Sequence, residues 1–174
     1  MTRTDESLQS KVALIAEECI AVSLRLLTRA VTKIYNHALR PHGLTVGQMN
    51  ILVAASLMGQ ARQQDICRVL FLDKSTLSRD LTRMRERGWI SESPGDDARS
   101  SLIRVTALGG RLLEKAIPAW EQAQQEATAL LGAQDVSALG RVAKSLRSSG
   151  MQNLHGPSAK KPKQSRGGKD AIPR

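Results

Sequence analysis

Apolar side chains recur every three or four residues in the first quarter of the chain, a spacing typical of a helix that packs against a partner. Between about Leu14 and Leu39 the sequence has no glycine or proline, and its regularly spaced apolar positions are Ile20, Leu24, Leu27, Val31, Ile34 and Ala38. Pro41 and Gly43 follow and are expected to end a helix. The pattern therefore predicts one long helix with an apolar seam.

Three shorter helices are predicted next, each from helix-ending residues or an apolar stripe. Thr45 can cap a helix that reaches residue 57 or 58, and a short helix covers about 63–70. Asp73 can cap the third helix, over residues 74–87. At about 100° per residue, one side of this third helix carries the apolar residues Leu77, Leu81 and Met84.

A β-hairpin follows the third helix. Two strand-like runs, 89–92 and 102–105, flank the segment 93–100, which is dense in turn-forming residues. Two helices with a tight connection, followed by a hairpin, are the order of a winged helix-turn-helix. We therefore predict a mainly α fold with a small β-hairpin wing, in which the helix over 74–87 enters the major groove of DNA.

The last third of the folded part is predicted to be helical. Thr106 can cap a long helix that Pro118 bends or interrupts and that Gly132 ends. A final amphipathic helix ends before Gly150. These helices provide a second set of apolar stripes for packing.

The outward face of the helix over 74–87 carries side chains suited to DNA. With the apolar stripe toward the core, the outward positions are Ser75, Arg79, Thr82 and Glu86, and the flanking positions are Thr76, Ser78 and Arg83. Arginine can bridge O6 and N7 of guanine, which makes Arg79 the first choice for reading a base. A solvated polar face explains the amphipathic pattern equally well, and the hairpin that follows favours DNA.

The predicted hairpin tip carries a further cation. Arg99 follows Asp97 in the turn segment. An arginine on an exposed tip can insert into a narrow minor groove, where the negative potential is enhanced. The alternative is an ion pair between Asp97 and Arg99 that orders the turn.

Charge is high and unevenly distributed. The 174 residues include 26 Lys and Arg against 16 Asp and Glu, a formal net charge of +10 that favours an anionic partner. Residues 151–174 are rich in Pro, Gly and Lys, so we expect a disordered basic tail, and we expect residues 1–10 to be a flexible N-terminus. The sequence has two Trp, one Tyr and one Phe, too few for the stacking platforms of single-strand binders, so duplex DNA is favoured.

Three stretches in the expected order resemble the MarR family of bacterial winged-helix transcriptional regulators. The stretches are LTRAVTKIYNHALRPHGLT, LDKSTLSRDLTRMRERGWI and DDARSSLIRVTALG, and with the helical close they cover about 16–146. The resemblance implies a homodimer formed by helices at about 14–39 and 107–149, with a DNA-binding part at about 45–106. It further implies a repressor that occupies a pseudo-palindromic operator in double-stranded DNA.

The resemblance also implies contact residues. It places Arg99 in the minor groove and, in the major groove, Lys74, Ser75, Thr76, Ser78, Arg79 and Arg83; Thr82 joins them through its outward position. Two residues depart from the family pattern. Phe71 stands where the turn commonly has Gly or a small polar residue, and Arg62 stands where a Ser or Thr cap is common.

The sequence indicates an effector-binding or redox-sensing site less clearly than it indicates the DNA contacts. Many relatives are released by small aromatic acids bound between the dimerisation helices and the winged domain, so candidates for an effector site are His37, Arg40, His42 and Trp120. Arg40 can instead complement a helix dipole. Some relatives sense oxidants through a cysteine of the first helix, which makes a redox-sensing regulator with Cys19 an alternative.

Other classes of function receive little support. His37, His42 and Cys19 lack a convergent metal-binding spacing, and no phosphate-binding Gly loop, HExxH or GxSxG is present, so we expect no metal, no cofactor and no enzymatic activity. The polar start and the lack of a long apolar run predict a cytoplasmic protein without a membrane span. The competing class is an architectural protein that binds duplex DNA non-specifically through its tail and wing.

Overall fold

The computed structural model describes residues 3–95 and 101–148. Its elements are α1 (Arg3–Glu18), α2 (Ile20–Leu39), a 3-10 turn (Arg40–His42), α3 (Val46–Met58), β1 (Ala61–Arg62), α4 (Gln63–Leu70), α5 (Lys74–Glu86), β2 (Ile90–Pro94), β3 (Ser101–Val105), α6 (Ala107–Leu131) and α7 (Ala133–Ser148). Arg99 and the basic tail over 151–174 lie outside the described residues. Within the described ranges, none of the helices has the length and apolar content needed to cross a bilayer.

The first predicted helix begins earlier than its pattern indicates and is divided at Cys19. The chain is helical from Arg3, well before the start near Leu14 that the apolar spacing predicts. Cys19 has an extended conformation, with φ −69° and ψ 109°, and no side chain caps the next helix. Glu17 and Glu18 oppose the dipole at the end of α1, where no basic residue compensates, so the helix is weakened there although the apolar spacing continues.

The predicted helix caps are confirmed. Thr45 caps α3 in a reciprocal arrangement: its Oγ1 accepts from the Gln48 amide at 3.2 Å, and the Gln48 side chain accepts from the Thr45 amide at 3.2 Å. Asp73 caps α5, and Thr106 caps α6. Arg62, the residue before α4, forms no side-chain cap, in agreement with its departure from the family pattern.

The hydrophobic core lies where the end of α2, α3, α4, α5, the sheet and the first half of α6 meet. The largest fully buried side chains there are Leu39, Ile51, Leu52, Ile66, Leu77, Met84 and Ile103. Removing a side chain of this size from water contributes about 1.5–3 kcal/mol. The predicted inward side of α5 is confirmed, since Leu77, Leu81 and Met84 are all buried.

The predicted hairpin is confirmed and is extended by a third strand. β2 and β3 pair antiparallel from Ile90 opposite Val105 to Pro94 opposite Ser101. β1 pairs with the other edge of β3, with Ala61 opposite Ile103, so the order is β1-β3-β2. A strand of two residues has no periodicity to detect, which is why the pattern does not predict β1. It anchors the start of α4 to the hairpin.

α6 is continuous through Pro118 and ends at Gly132, which has φ +88°. Pro118 is exposed and does not interrupt α6, which leaves the bend as the part of the prediction that stays open. A second, small cluster joins α6 to α2, where Ala123 and Ala127 pack with the buried Tyr35. The Tyr35 hydroxyl donates to Oε1 of Gln124, and burial raises the pKa of Tyr35. Residues from Ala138 onward, in α7, belong to a second compact unit.

Candidate nucleic-acid interface

The turn between α4 and α5 fixes where the second helix of the pair begins. Phe71 ends α4 with φ +52°, a left-handed conformation, and the Leu72 amide donates to the carbonyl of Cys67 at 3.0 Å. This conformation is costly for a residue with a Cβ and explains why the family pattern favours Gly there. The departure at Phe71 therefore leaves the tight turn in place, with 52% of Phe71 exposed.

Seven of the eight residues predicted to contact DNA lie in α5. Six of them are exposed and one, Thr82, is half-buried. The exposed six are Lys74, Ser75, Thr76, Ser78, Arg79 and Arg83. The helix thus presents a polar and cationic surface opposite its buried side. Arg99, the eighth, falls among residues that the structure does not describe.

Asp73 organises the first turn of α5. Its Oδ1 accepts from the Ser75 hydroxyl at 2.6 Å and from the Thr76 amide at 2.8 Å, and its Oδ2 accepts from the Thr76 hydroxyl at 2.7 Å. These hydrogen bonds, led by that from Ser75, hold the pKa of the Asp73 carboxyl far below its usual range. The carboxylate is therefore ionised at neutral pH.

The basic side chains of α5 and the residue after it fall into two groups. Within the described ranges, Lys74, Arg79 and Arg83 form neither a hydrogen bond nor an ion pair, so their charges are available to an anion. Arg85 pairs with Glu92 of β2 at 3.2 Å. Arg87, just after the helix, is also engaged within the protein. The sequence does not predict the pairing of Arg85, because an ion pair between a helix and a strand has no local signal.

Arg87 joins three parts of the domain. Its Nη1 donates to the carbonyl of Gly43 at 2.7 Å, and its guanidinium lies 4.9 Å from the centre of the Trp89 ring. Arg87 thereby links the end of α5 to the turn before α3 and to the start of the wing. We assign it a structural role.

The proposed effector residues occupy adjoining elements but form no polar cluster. His37 lies in the last turn of α2, Arg40 and His42 belong to the 3-10 turn, and Trp120 lies in α6, which contacts both. Trp120 is 39% exposed, and among the described residues no hydrogen bond connects any two of the four. They also do not line the open groove on α6 and the start of α7, which is formed by Gln124, Gln125, Thr128, Ala129, Gly132 and Ala133.

The two cysteines differ in environment. Cys19 is a half-buried free thiol at the break between α1 and α2. Cys67 packs against the core, where burial and then the charge of Asp73 raise the pKa of its thiol, opposed by Lys74. A raised pKa lowers the thiolate fraction, so Cys67 is poorly suited to redox chemistry.

Comparison with known proteins identifies this arrangement. The sequence profile of the MarR family matches residues 42–100. The M. tuberculosis transcriptional regulator MosR, solved in complex with DNA, is 34% identical, with a TM-score of 0.62 over 75% of this chain and 99% of that one. The chain belongs to the MarR family of transcriptional regulators. Membership confirms the family predicted from the three sequence stretches.

Two further relatives show how much of the chain is similar to known regulators. The uncharacterized HTH-type transcriptional regulator YwoH of Bacillus subtilis (strain 168) is 31% identical over 78 residues, which are 45% of this chain and only 57% of YwoH. A mutant MarR from E. coli, solved in complex with operator DNA, is 22% identical, with a TM-score of 0.67 over 76% of this chain and 96% of the other. The latter supports the winged-helix fold.

Proposed function

We propose that this MarR-family chain is a sequence-specific, double-stranded DNA-binding regulator that acts as a homodimeric repressor on a pseudo-palindromic operator in the cytoplasm. The observation that carries this proposal is the exposed face of α5, where Lys74, Arg79 and Arg83 have no partner in the described part of the chain. That MosR, which is 34% identical, has been solved in complex with DNA supports a DNA-binding role for this chain. The regulator is proposed to be non-enzymatic.

Each basic residue has a distinct task under this proposal. Arg79 lies one helical turn into α5, deep enough to reach a guanine edge with its two-pronged guanidinium. Lys74 and Arg83, near opposite ends of the helix, neutralise phosphates and set the register. Arg99, which lies between β2 and β3 in the sequence, is proposed to enter the adjacent minor groove. Ser75, Thr76, Ser78 and Thr82 complete the contacts.

Dimerisation is proposed from a long exposed apolar stripe on α1 and α2. The exposed fraction is 60% for Leu8, 63% for Ile15, 74% for Ile20 and 50% for Leu24. An exposed apolar surface of this length is unusual for a monomer and marks a protein interface. A second copy of the chain would cover it, and the two α5 helices would then meet half-sites about one helical turn of DNA apart.

Release of the repressor by a ligand is a secondary part of the proposal. Arg40 and the imidazoles of His37 and His42 could bind the carboxylate of a small aromatic acid, with Trp120 against its ring. Oxidation of Cys19 is the competing signal, since this thiol lies at the helix break beside the dimer stripe. Isothermal titration with aromatic acids, and dimer stability before and after peroxide, separate the two signals.

The proposal is tested by selecting bound sequences from random duplex DNA with the full chain at near-physiological salt. A two-fold-symmetric motif is expected from the wild type, and the same motif from Arg85→Ala, because Arg85 is engaged with Glu92. Arg79→Ala should lose one position in each half-site. A tightly bound pool without enrichment would contradict the proposal and favour the architectural class.

The dimer is tested separately with Leu24→Asp. A charge in the stripe should convert the protein to a monomer in sedimentation analysis and remove most of its operator affinity, since half of the contacts are lost. Leu57→Asp is the matched control because Leu57 is 84% exposed on α3, a helix that does not carry the stripe. Equal sedimentation of both variants and the wild type would contradict this interface.

A further inference from the structure

Two hydroxyl groups at the start of α5 donate their protons to the carboxylate of Asp73. Ser75 donates its proton to Oδ1 of Asp73 at 2.6 Å, and Thr76 donates its proton to Oδ2 at 2.7 Å. Both distances are typical of strong bonds to an ionised acceptor. Each hydroxyl has one proton and two lone pairs, so each oxygen retains only acceptor capacity toward solvent or a ligand.

A phosphate is a poor partner for these two oxygens. The phosphate oxygens of the DNA backbone carry no proton at neutral pH, so a phosphate meets lone pairs on Ser75 and Thr76 and the nearby negative charge of Asp73. Ser78, one turn further along, is different: its side chain makes no hydrogen bond among the described residues and can still donate. The Thr82 hydroxyl donates to the carbonyl of Ser78 at 3.0 Å.

Few groups on the bases can donate a hydrogen bond to a protein acceptor in the major groove. There, only adenine N6 and cytosine N4 present a donor, whereas guanine and thymine present acceptors or a methyl group. We propose that Asp73 is a positioning residue for base recognition: by holding the two protons, it makes Ser75 and Thr76 acceptors that select adenine or cytosine. This inference rests on the proposed function of α5 as the recognition helix.

The decisive variant is Asp73→Asn, which keeps the shape of the side chain. Its Oδ1 can still accept from the Thr76 amide, and Asn caps a helix as well as Asp does. Its amide nitrogen would occupy the place of Oδ2 and donate to the Thr76 oxygen, so the Thr76 proton turns toward the groove. The matched control is Asp80→Asn, which removes one negative charge from the same helix and touches neither hydroxyl.

The readout is the base preference at each position of the motif selected from random duplex DNA. For the wild type and Asp80→Asn we expect one half-site position where adenine or cytosine exceeds guanine and thymine by about fivefold, near the low end for a base contact. Asp73→Asn should shift that position toward guanine or thymine. Thr76→Val and Ser75→Ala, which leave the cap intact, should flatten the preference without reversing it.

Two results would overturn the inference, and each is distinguishable from failure of the proposed function. A wild-type motif whose preferences are the same in Asp73→Asn and Asp80→Asn contradicts the role of Asp73. A motif unchanged in both Thr76→Val and Ser75→Ala contradicts the role of the hydroxyls, even if Asp73→Asn does not fold. Absence of any wild-type motif overturns the proposed function itself.

Discussion

Gly109, in the first turn of α6, has the tightest backbone contact among the glycines that the structure describes. A Cβ at Gly109 would lie 2.1 Å from the carbonyl oxygen of Trp89 and 3.0 Å from Cγ1 of Val105. Ordinary contact begins near 3.4 Å, so α6 and the Trp89 carbonyl would have to separate by about 1.3 Å. Neither side can yield easily, because both are backbone.

The same movement would disturb the cap of α6. The Gly109 amide donates to Thr106 Oγ1 at 3.1 Å, and the Thr106 hydroxyl donates to the carbonyl of Gly88 at 2.6 Å. Overpacking costs about 1–3 kcal/mol and loss of a cap about 0.5–2 kcal/mol, against a gain of up to about 1 kcal/mol for replacing a helical glycine. We predict that Gly109→Ala destabilises the fold by about 0.5–5 kcal/mol.

The neighbouring glycine provides the control. A Cβ at Gly110 meets nothing within 4 Å, so Gly110→Ala should stabilise the protein by about 0.5–1 kcal/mol. Urea unfolding at one protein concentration measures both, and a loss of about 2 kcal/mol lowers the midpoint by roughly 1 M at a typical slope. A midpoint for Gly109→Ala at or above that of Gly110→Ala would refute the reasoning.

Four further predictions concern charged residues. Arg87→Lys keeps the charge but loses the planar guanidinium that donates to the Gly43 carbonyl and lies over the Trp89 ring. Urea unfolding should therefore show a free energy of unfolding that is lower by about 1 kcal/mol, and the selected DNA motif should be unchanged. Because the pKa of Asp73 is lowered in the folded state, its carboxylate stabilises the fold above the ordinary carboxyl pKa of about 3.9, and this stabilisation is lost as the pH falls. Between about pH 5 and pH 2, the urea midpoint of the wild type should therefore drop further than that of Asp73→Asn. Parallel curves of urea midpoint against pH for the two proteins would contradict this. Arg79→Ala should weaken binding to the selected duplex by about 1–3 kcal/mol, and a uniform loss on all sequences would make Arg79 a phosphate contact. Arg99→Ala should weaken binding most on duplexes with A/T-rich flanks, and an equal loss on G/C-rich flanks would exclude minor-groove insertion.

The elements predicted well are those with strong local signals. Thr45, Asp73 and Thr106 identify helix starts because a short polar side chain just before an apolar stripe is the typical sequence of a helix N-terminus. The hairpin is predicted for a similar reason, since two strand-like runs flank a dense cluster of turn formers. These signals suffice for the helix pair and the wing, and therefore for the surface that α5 presents.

The features missed depend on contacts between distant residues. β1 is a strand because Ala61 lies opposite Ile103, a pairing that two residues cannot signal. The break at Cys19 interrupts a regular apolar pattern that predicts a single helix. Arg87 is engaged with Gly43, 44 positions away, so the sequence does not distinguish its charge from that of Arg79. Periodicity indicates which side of a helix is apolar and not which cation is already engaged.

Operator reading is tested most directly by a specificity ratio. The dissociation constant of the full chain is measured for the selected symmetric duplex and for a shuffled duplex of equal length and composition, at two salt concentrations. A sequence-reading dimer should bind the symmetric duplex about 10³-fold or more tightly, and the preference should persist when added salt weakens both complexes. A ratio near one at both salt concentrations would show that the protein binds DNA through charge alone and would contradict its proposed function as a regulator.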